Sequence, residues 1–318
     1  MKALITGGAG FIGSHLAEAL LQRGDAVTLL DDLSTGNRDN LAALSPADRV
    51  RFLQGSITDA ATVDQLVADA DVVYHLASAV GVQLIIDQPV KTIETIVTGT
   101  DIVLQAAAKH RRPVLITSSS EVYGKGSRIP FAEDDDVVLG PTSTRRWSYA
   151  CSKMLDEFLA LAHWHASRLP VVIVRLFNTV GPGQTGAYGM VLPRFVGRAL
   201  RGEAIRVYGD GEQTRCFCHV GDVVDALAAL MACEQARGQV VNIGSDQEVS
   251  INALAKRVID VAGSASRIEH VPYDEAYIEG FEDMRRRVPS LQRAKQLIGY
   301  APTRSLDEII RSVIEAMQ

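Results

Sequence analysis

The sequence predicts an α/β fold, a doubly wound parallel sheet with a smaller, interleaved C-terminal lobe. Three observations predict it. Short runs that are apolar nearly throughout recur at 2–6, 26–30, 50–54, 71–76, 113–117 and 171–176. Helical segments lie between most of them, the first through Leu16, Leu20 and Leu21. After about residue 177 this alternation gives way to a glycine-marked loop and a different rhythm. A strand that is apolar along its whole length is covered on both faces, which is the arrangement of parallel strands with helices above and below.

Taken in order, Lys2-Ala-Leu-Ile-Thr6 is a strand that enters Gly7-Gly8-Ala9-Gly10-Phe11-Ile12-Gly13, and a helix runs on to Gly24. The second strand, Ala26 to Leu30, ends at Asp31-Asp32. Strands at 50–54 and 71–76 follow, and then a helix before a Thr98-Gly99-Thr100 corner. The strand at 113–117 leads into Ser118-Ser119-Ser120-Glu121, and an amphipathic helix through Leu155, Phe158 and Leu159 opens at Tyr149. Beyond the 171–176 strand, Gly181-Pro182-Gly183 and Gly186 mark a loop, and 192–200 reads as helix. A strand at 205–208 ends at Gly209-Asp210-Gly211, and helical patterns recur at 221–232, 251–262, 291–297 and 306–317. Residues 1–177 plus about 219–262 are therefore assigned to the sheet domain, and about 178–218 plus 263–318 to the smaller lobe. With no repeat, low-complexity tract or Pro-rich linker, the two parts are expected to interleave.

Composition narrows the function. Of 318 residues, 47% are hydrophobic and 22% charged, with a net charge of −6, which excludes a disordered chain and disfavours nucleic acid as a partner. No run of about 18 apolar residues occurs, and the glycine turn begins at Gly7, so neither a membrane span nor a signal peptide is expected. The expectation is a soluble cytoplasmic protein. Cys151, Cys216, Cys218 and Cys233 are too few and too irregular for a disulfide framework. One continuous strand would put Cys216 and Cys218 on one face and His219 on the other, so no metal site is expected there. Glu133-Asp134-Asp135-Asp136 reads as a solvated loop.

Strand, glycines at 7, 10 and 13, then helix is the pattern in which a tight turn lets backbone approach a pyrophosphate at a helix N-terminus. Asp31, at the end of the next strand, can accept hydrogen bonds from an adenosine ribose and would repel a 2′-phosphate, so NAD is favoured over NADP. Ser56-Ile57 and Leu76-Ala77-Ser78, at later strand ends, are placed in the same crevice, as expected for a Rossmann-type sheet. Tyr149 and Lys153 stand four apart, on one helix face. A cation there, with the positive charge of oxidised nicotinamide, would lower the phenol's proton affinity and fit Tyr149 to take a hydroxyl proton. A serine of the 118–120 cluster would hold the hydroxyl oxygen.

These motifs together resemble the extended short-chain dehydrogenase/reductases of the nucleotide-sugar epimerase/dehydratase type. The likeness spans essentially the whole chain. It rests on Thr6 through Gly13, Asp31-Asp32-Leu33-Ser34-Thr35-Gly36, His75-Leu76-Ala77, Ser119 through Gly124, Tyr149-x-x-x-Lys153, Arg175-Leu176-Phe177-Asn178, Tyr208-Gly209-Asp210-Gly211 and Arg215 before His219-Val220-Gly221-Asp222. The resemblance implies Ser119, Tyr149 and Lys153 as catalytic residues. It implies cofactor contacts at Phe11, Ile12, Leu33, Ser34, Thr35 and Gly36. On the substrate side it implies Ser120 and Glu121 near the sugar, Asn178 and Arg215 on the diphosphate, Leu192 and Tyr208 near the base, and Arg287 on a phosphate or the sugar. It also implies a homodimer formed through two helices per subunit. One departure is Ile96, where the family often carries asparagine.

The resemblance further separates reactions that share oxidation at sugar C4. A 4,6-dehydratase carries an Asp-Glu pair where this chain has Ser120-Glu121, which argues against dehydration. A UDP-glucuronate decarboxylase often has Ser-Glu there, and Arg285-Arg286-Arg287 followed by Pro289 resembles its tail. Tyr149-Ala150-Cys151-Ser152-Lys153 and Asp31 to Gly36 are nearer the epimerases. The sequence therefore favours a 4-epimerase of UDP-glucose or UDP-glucuronate, with the decarboxylase second and a non-catalytic NAD-binding scaffold as the alternative of another class. On the epimerase reading, Glu121 is expected to turn away from the sugar and accept backbone hydrogen bonds.

Overall fold

The computed structural model describes residues 1–78, 88–186, 190–272 and 284–318. Its strands are β1 (Lys2–Thr6), β2 (Ala26–Asp31), β3 (Val50–Gln54), β4 (Val72–His75), β5 (Val114–Ser119), β6 (Val171–Leu176), β7 (Thr179–Val180), β8 (Ile205–Tyr208), β9 (Thr214–Cys216), β10 (Cys218–His219), β11 (Gln239–Ile243), β12 (Glu248–Ser250) and β13 (Ile268–Val271). The helices are α1 (Phe11–Gln22), α2 (Ala60–Asp69), α3 (Pro89–His110), α4 (Trp147–Ser167), α5 (Val191–Leu200), α6 (Val220–Ala232), α7 (Ile251–Ala262), α8 (Gln292–Ile298) and α9 (Leu306–Met317).

Seven strands pair in parallel in the order β11-β6-β5-β4-β1-β2-β3. The expected doubly wound sheet is present. Strand order reverses between β1 and β4, so their C-terminal ends open onto the crevice where such sheets bind ligands. Both faces are covered: Leu16, Leu20, Val223 and Leu227 of α1 and α6 pack on one, and Val63, Val67, Val103 and Ala107 of α2 and α3 on the other. The sequence pattern announced six of these strands. It did not announce β11, because Gln239 and Asn242 interrupt its apolar run; Asn242 is fully buried and spends its polarity on Tyr123, Phe131 and Glu133.

The smaller lobe has its own core, in which Leu192, Phe195 and Val196 of α5 meet Leu254 and Val258 of α7 and Ile309, Ile310 and Val313 of α9. Short pairs complete it, β8 with β13 and β9 with β12. The segment 219–262 therefore divides: α6 and β11 serve the sheet, whereas the apolar stripe of α7 packs in the lobe. In return, Ala294 and Tyr300, from the stretch assigned to the lobe, pack in the sheet's core. The chain crosses between the two cores several times.

Four local expectations are revised. Thr98-Gly99-Thr100 is no corner but the interior of α3, and a Cβ on Gly99 would stand 2.2 Å from Ile57 Cδ1. Glu133 is buried, not solvated: its Oε1 accepts the Asn242 N–H at 2.9 Å. Leu155 and Phe158 are exposed, because the buried side of α4 carries Ala150, Lys153, Asp156, Glu157 and Ala160. Cys216 and Cys218 belong to different strands, pairing with β12 and β7 respectively.

Candidate active site

The Gly-rich turn lies where the sequence places it, at the C-terminal end of β1. Gly7 has φ +72°, and a Cβ there would come within 2.7 Å of the Ala77 nitrogen; at Gly13 it would stand 2.1 Å from the Gly7 oxygen. Substitution at either position would push the turn apart. The N-terminus of α1 has no side-chain cap and no acid in its first turn, so its N–H groups and dipole remain available to an anion. Asp31 faces the same crevice. Its Oδ2 accepts the Ala9 N–H at 2.9 Å and its Oδ1 the Leu33 N–H at 2.8 Å, and burial raises its proton affinity against these bonds. The donor set fits a dinucleotide: a backbone cradle for the pyrophosphate and a fixed carboxylate for a ribose.

A single cavity of about 700 Å³ runs from this turn to the smaller lobe. Gly7, Gly10, Phe11, Ile12, Gly13, Asp31, Ser34, Thr35, Ile57, Leu76, Ala77 and Ser78 line its cofactor end. Ser119, Ser120, Glu121, Tyr149 and Lys153 line the middle, and Asn178, Leu192, Tyr208, Arg215 and Arg287 the far side. Three expected cofactor contacts are not among the lining residues. Leu33 adopts φ +61° and turns its N–H to Asp31; Gly36 gives the Asp31 carboxylate room, a Cβ there falling 2.9 Å from Oδ1; and the Ser56 hydroxyl bonds Thr58 Oγ1 at 2.8 Å. The first two shape the Asp31 site from behind.

At the centre, Ser119 ends β5 and hydrogen-bonds Tyr149. Lys153 is buried, donating to the Thr117 carbonyl at 3.0 Å and lying 3.4 Å from Asp156 Oδ2. The expected lowering of Tyr149 is not a property of these side chains alone. Burial raises its proton affinity above that of an ordinary phenol, Ser119 opposes this, and the charges of Glu121 and Asp156 add to the rise. Burial is the largest of these effects, and the lowering expected from the sequence counts on the positive charge of bound oxidised nicotinamide as well as on Lys153. His75, bonded to Thr6 Oγ1 and Thr100 Oγ1 at 2.7 and 3.0 Å, is held neutral by burial, its pKa lowered to about 3.

Glu121 does not turn to backbone donors. Arg287 Nη1 meets its Oε1 at 2.7 Å and Arg146 Nη2 its Oε2 at 3.0 Å. Burial opposes its ionisation, but the two guanidiniums prevail and hold its pKa near 2. Arg287 Nη1 also reaches Ser120 Oγ at 3.4 Å, while its Nε is buried with no hydrogen-bond partner among the described residues. Arg146 escaped the sequence reading, although its place three residues before Tyr149 puts it on the approach to the same helix face. Thr92 and Gln184 also line the cavity with buried oxygens that have no hydrogen-bond partner among the described residues; nothing in their sequence neighbourhood singled them out.

Asn178, expected from the resemblance to meet the diphosphate, sits at φ +28° with its amide donating to the Cys216 carbonyl at 3.0 Å. Arg215 is buried and ties Met284 O at 2.8 Å, so it anchors the segment that delivers Arg287. Tyr208 lies under Arg194, 4.9 Å from guanidinium carbon to ring centroid.

A seven-stranded parallel sheet with a glycine cradle, Asp31, and a Ser-Tyr-Lys set in one cleft defines an NAD-dependent short-chain dehydrogenase/reductase of the extended type, acting on a nucleotide sugar. The chain belongs to the family described as GDP-mannose 4,6 dehydratase, whose model matches residues 4–313. It is 43% identical over 315 residues to a UDP-N-acetyl-alpha-D-glucosaminuronate decarboxylase of Bacillus cytotoxicus, covering 99% of this chain and 97% of that one. It is 34% identical to UDP-glucuronic acid decarboxylase 1 of Xenopus tropicalis, covering 98% of this chain and 71% of that protein. Among solved structures it is similar to the Thermus thermophilus UDP-glucose 4-epimerase complex with NAD, at TM-score 0.85 and 28% identity, covering 99% and 98%. Among the described residues no helix is long and apolar enough to cross a membrane.

Proposed function

We propose that this protein is a decarboxylase of a UDP-linked uronic acid, releasing carbon dioxide and a UDP-pentose. The observation that carries the reading is the charge of the Glu121 cluster. Two guanidiniums and one ionised carboxylate sum to +1, beside Tyr149 and Ser119 where sugar C4 reacts. Lys153 and Asp156 cancel each other and add nothing to this balance. A buried net cation suits a sugar bearing an anionic C6 and gives a neutral hexose nothing to pair with. The similarity to two uronate decarboxylases points the same way, against the 4-epimerase favoured by the Tyr149-Ala150-Cys151-Ser152-Lys153 segment.

NAD, held by the Gly7–Gly13 turn and Asp31, would supply reversible hydride transfer at C4. Tyr149 accepts the O4 proton while Ser119 holds O4 in place. The resulting 4-ketone stands β to the C6 carboxylate, so the C5–C6 electron pair can flow to O4 as carbon dioxide departs. Tyr149 and Ser119 then hold the enolate oxygen, and C5 takes a proton from solvent water, so that Tyr149 still has the O4 proton to return when the ketone is reduced. Arg287, with its unspent Nε–H, and Arg146 orient the carboxylate out of the carbonyl plane. Glu121 stays ionised and fixes both guanidiniums, so it is not the proton donor. The remaining affinity comes from Asn178 and Arg215 on the diphosphate and Leu192 and Tyr208 at the base. On the same reading the homodimer expected from the resemblance would use the outer face of α3 and α4, and the exposure of Val90, Ile93, Leu155 and Phe158 supports this.

A binding comparison tests the carrying observation. NAD-loaded protein should bind UDP-glucuronate or its 2-acetamido counterpart about 10-fold or more tightly than UDP-glucose, one charge-assisted pair being worth ~1.4 kcal/mol or more. Equal affinity for uronate and neutral hexose would remove the basis of the reading.

A further inference from the structure

Beneath the Tyr149–Lys153 pair lies a polar layer that the proposed reaction does not use. Asp156, one turn after Lys153 on α4, is 1% exposed, and no ligand-lining surface includes it. Its Oδ2 stands 3.4 Å from Lys153 Nζ, and its Oδ1 is buried without a hydrogen-bond partner among the described residues. From α3, one turn beyond the apolar Ile96, Thr100 faces this carboxylate. The Thr100 hydroxyl is itself held by His75 Nε2 at 3.0 Å, and His75 Nδ1 by Thr6 Oγ1 at 2.7 Å. Thr6 accepts the Ala77 N–H at 3.3 Å. A neutral imidazole bonded to a hydroxyl on each side can donate from Nε2 and accept at Nδ1, and Thr100 can then turn its proton toward Asp156. A continuous polar row thus runs from the end of β1, under the glycine turn, to the ammonium beside Tyr149.

A buried, half-satisfied carboxylate is costly unless it fixes something. We propose that Asp156 is a positioning residue for the reaction: it holds the Lys153 ammonium against the Thr117 carbonyl and, with it, sets the charge that Tyr149 faces. The inference rests on Tyr149 being the base, and not on which UDP-sugar is consumed. The groups facing Tyr149 are Ser119 from β5, Glu121 from the turn after it, Arg287 from the 284–290 segment, and Asp156 and Lys153 from its own helix. Those facing Asp156 are Lys153 and Glu157 on α4 and Thr100 on α3. Removing the Asp156 charge takes an anion from the surroundings of Tyr149 and leaves Lys153 uncompensated. Both changes favour phenolate.

The test is Asp156→Asn in NAD-loaded protein. Tyrosinate absorbance, with the signal of Tyr149→Phe subtracted, reports the titration of Tyr149 whether or not a substrate is known. It should shift downward by about half a pH unit or more, the size of one nearby charge at protein-like dielectric. The acid limb of kcat should shift with it, kcat at its optimum should fall by about 10-fold as Lys153 loses its fixed position, and KM for the UDP-sugar should not change. If Asp156→Asn does not retain NAD, Asp156→Ser removes the same charge with a smaller side chain and should give the same shift. A titration that does not move, or a kcat that falls with its acid limb in place, would reduce Asp156 to a structural role and overturn the proposal. Absence of decarboxylation by the unaltered protein would dismiss the proposed reaction and leave the tyrosinate titration to judge Asp156.

Discussion

Replacing Arg287 with glutamine separates binding of a sugar carboxylate from oxidation at C4. In the native cluster Glu121 is shared between Arg287 at 2.7 Å and Arg146 at 3.0 Å, and the net charge is +1. Arg287→Gln brings that sum to zero and removes a cavity-lining guanidinium whose buried Nε has no hydrogen-bond partner among the described residues. Arg287 is also the leading charge holding the Glu121 pKa down, so that pKa rises in the variant. Truncating one member of a buried, hydrogen-bonded charge pair costs about 2–5 kcal/mol, which corresponds to roughly 30-fold to several-thousand-fold in kcat/KM for the uronate. The assay follows UDP-pentose by mass and bound NADH by absorbance in the same reaction. Decarboxylation should collapse, while slow C4 oxidation, which depends on Tyr149 and Ser119, persists. A variant that releases carbon dioxide within about 3-fold of the unaltered rate would refute the cluster's role.

Tyr149→Phe keeps the ring and removes the base, so turnover should fall by about 10²-fold or more with NAD still bound, measured as initial rate of product formation. Asp31→Ala should weaken NAD and narrow its advantage over NADP, read by titration of cofactor-stripped protein. The Glu121 carboxyl, lowered from an ordinary 4.5 to about 2, contributes stability that is present above 4.5 and is lost as pH falls through that window. Acid unfolding of Glu121→Gln should therefore be less steep between those values, as followed by circular dichroism. Phe158→Glu, placed on the exposed face of α4, should convert a dimer to monomer in sedimentation, and an unchanged sedimentation coefficient would remove that face from the assembly.

Much of this architecture was legible because it depends on short-range patterns. Apolar strands ending in glycine, aspartate or serine mark the C-terminal rim of the sheet, and the cavity follows that rim from Gly7 through Asp31 and Ala77 to Ser119. Tyr149 and Lys153 were legible once their helical spacing was joined to the glycine turn and the serine cluster. What sequence reasoning lost depends on contacts between distant segments. Glu121 looked like a turn residue because its partners, Arg146 and Arg287, are 25 and 166 positions away. Glu133 looked solvated because the N–H it accepts belongs to Asn242. Asp156 is invisible for the same reason: its neighbour Thr100 arrives from another helix, and its link to His75 runs through a third element. The lobe boundary blurred where α7 and the Ala294–Tyr300 stretch exchange cores, because an amphipathic stripe does not state which apolar surface it will meet.

The measurement that bears most directly on the central claim is the mass of the product formed from UDP-N-acetylglucosaminuronate and from UDP-glucuronate by NAD-loaded protein. Loss of carbon dioxide from at least one of them, with the nucleotide intact, is the predicted result. A new isomer of unchanged mass as the main product of either, with no UDP-pentose from both, would contradict it and return the 4-epimerase to first place.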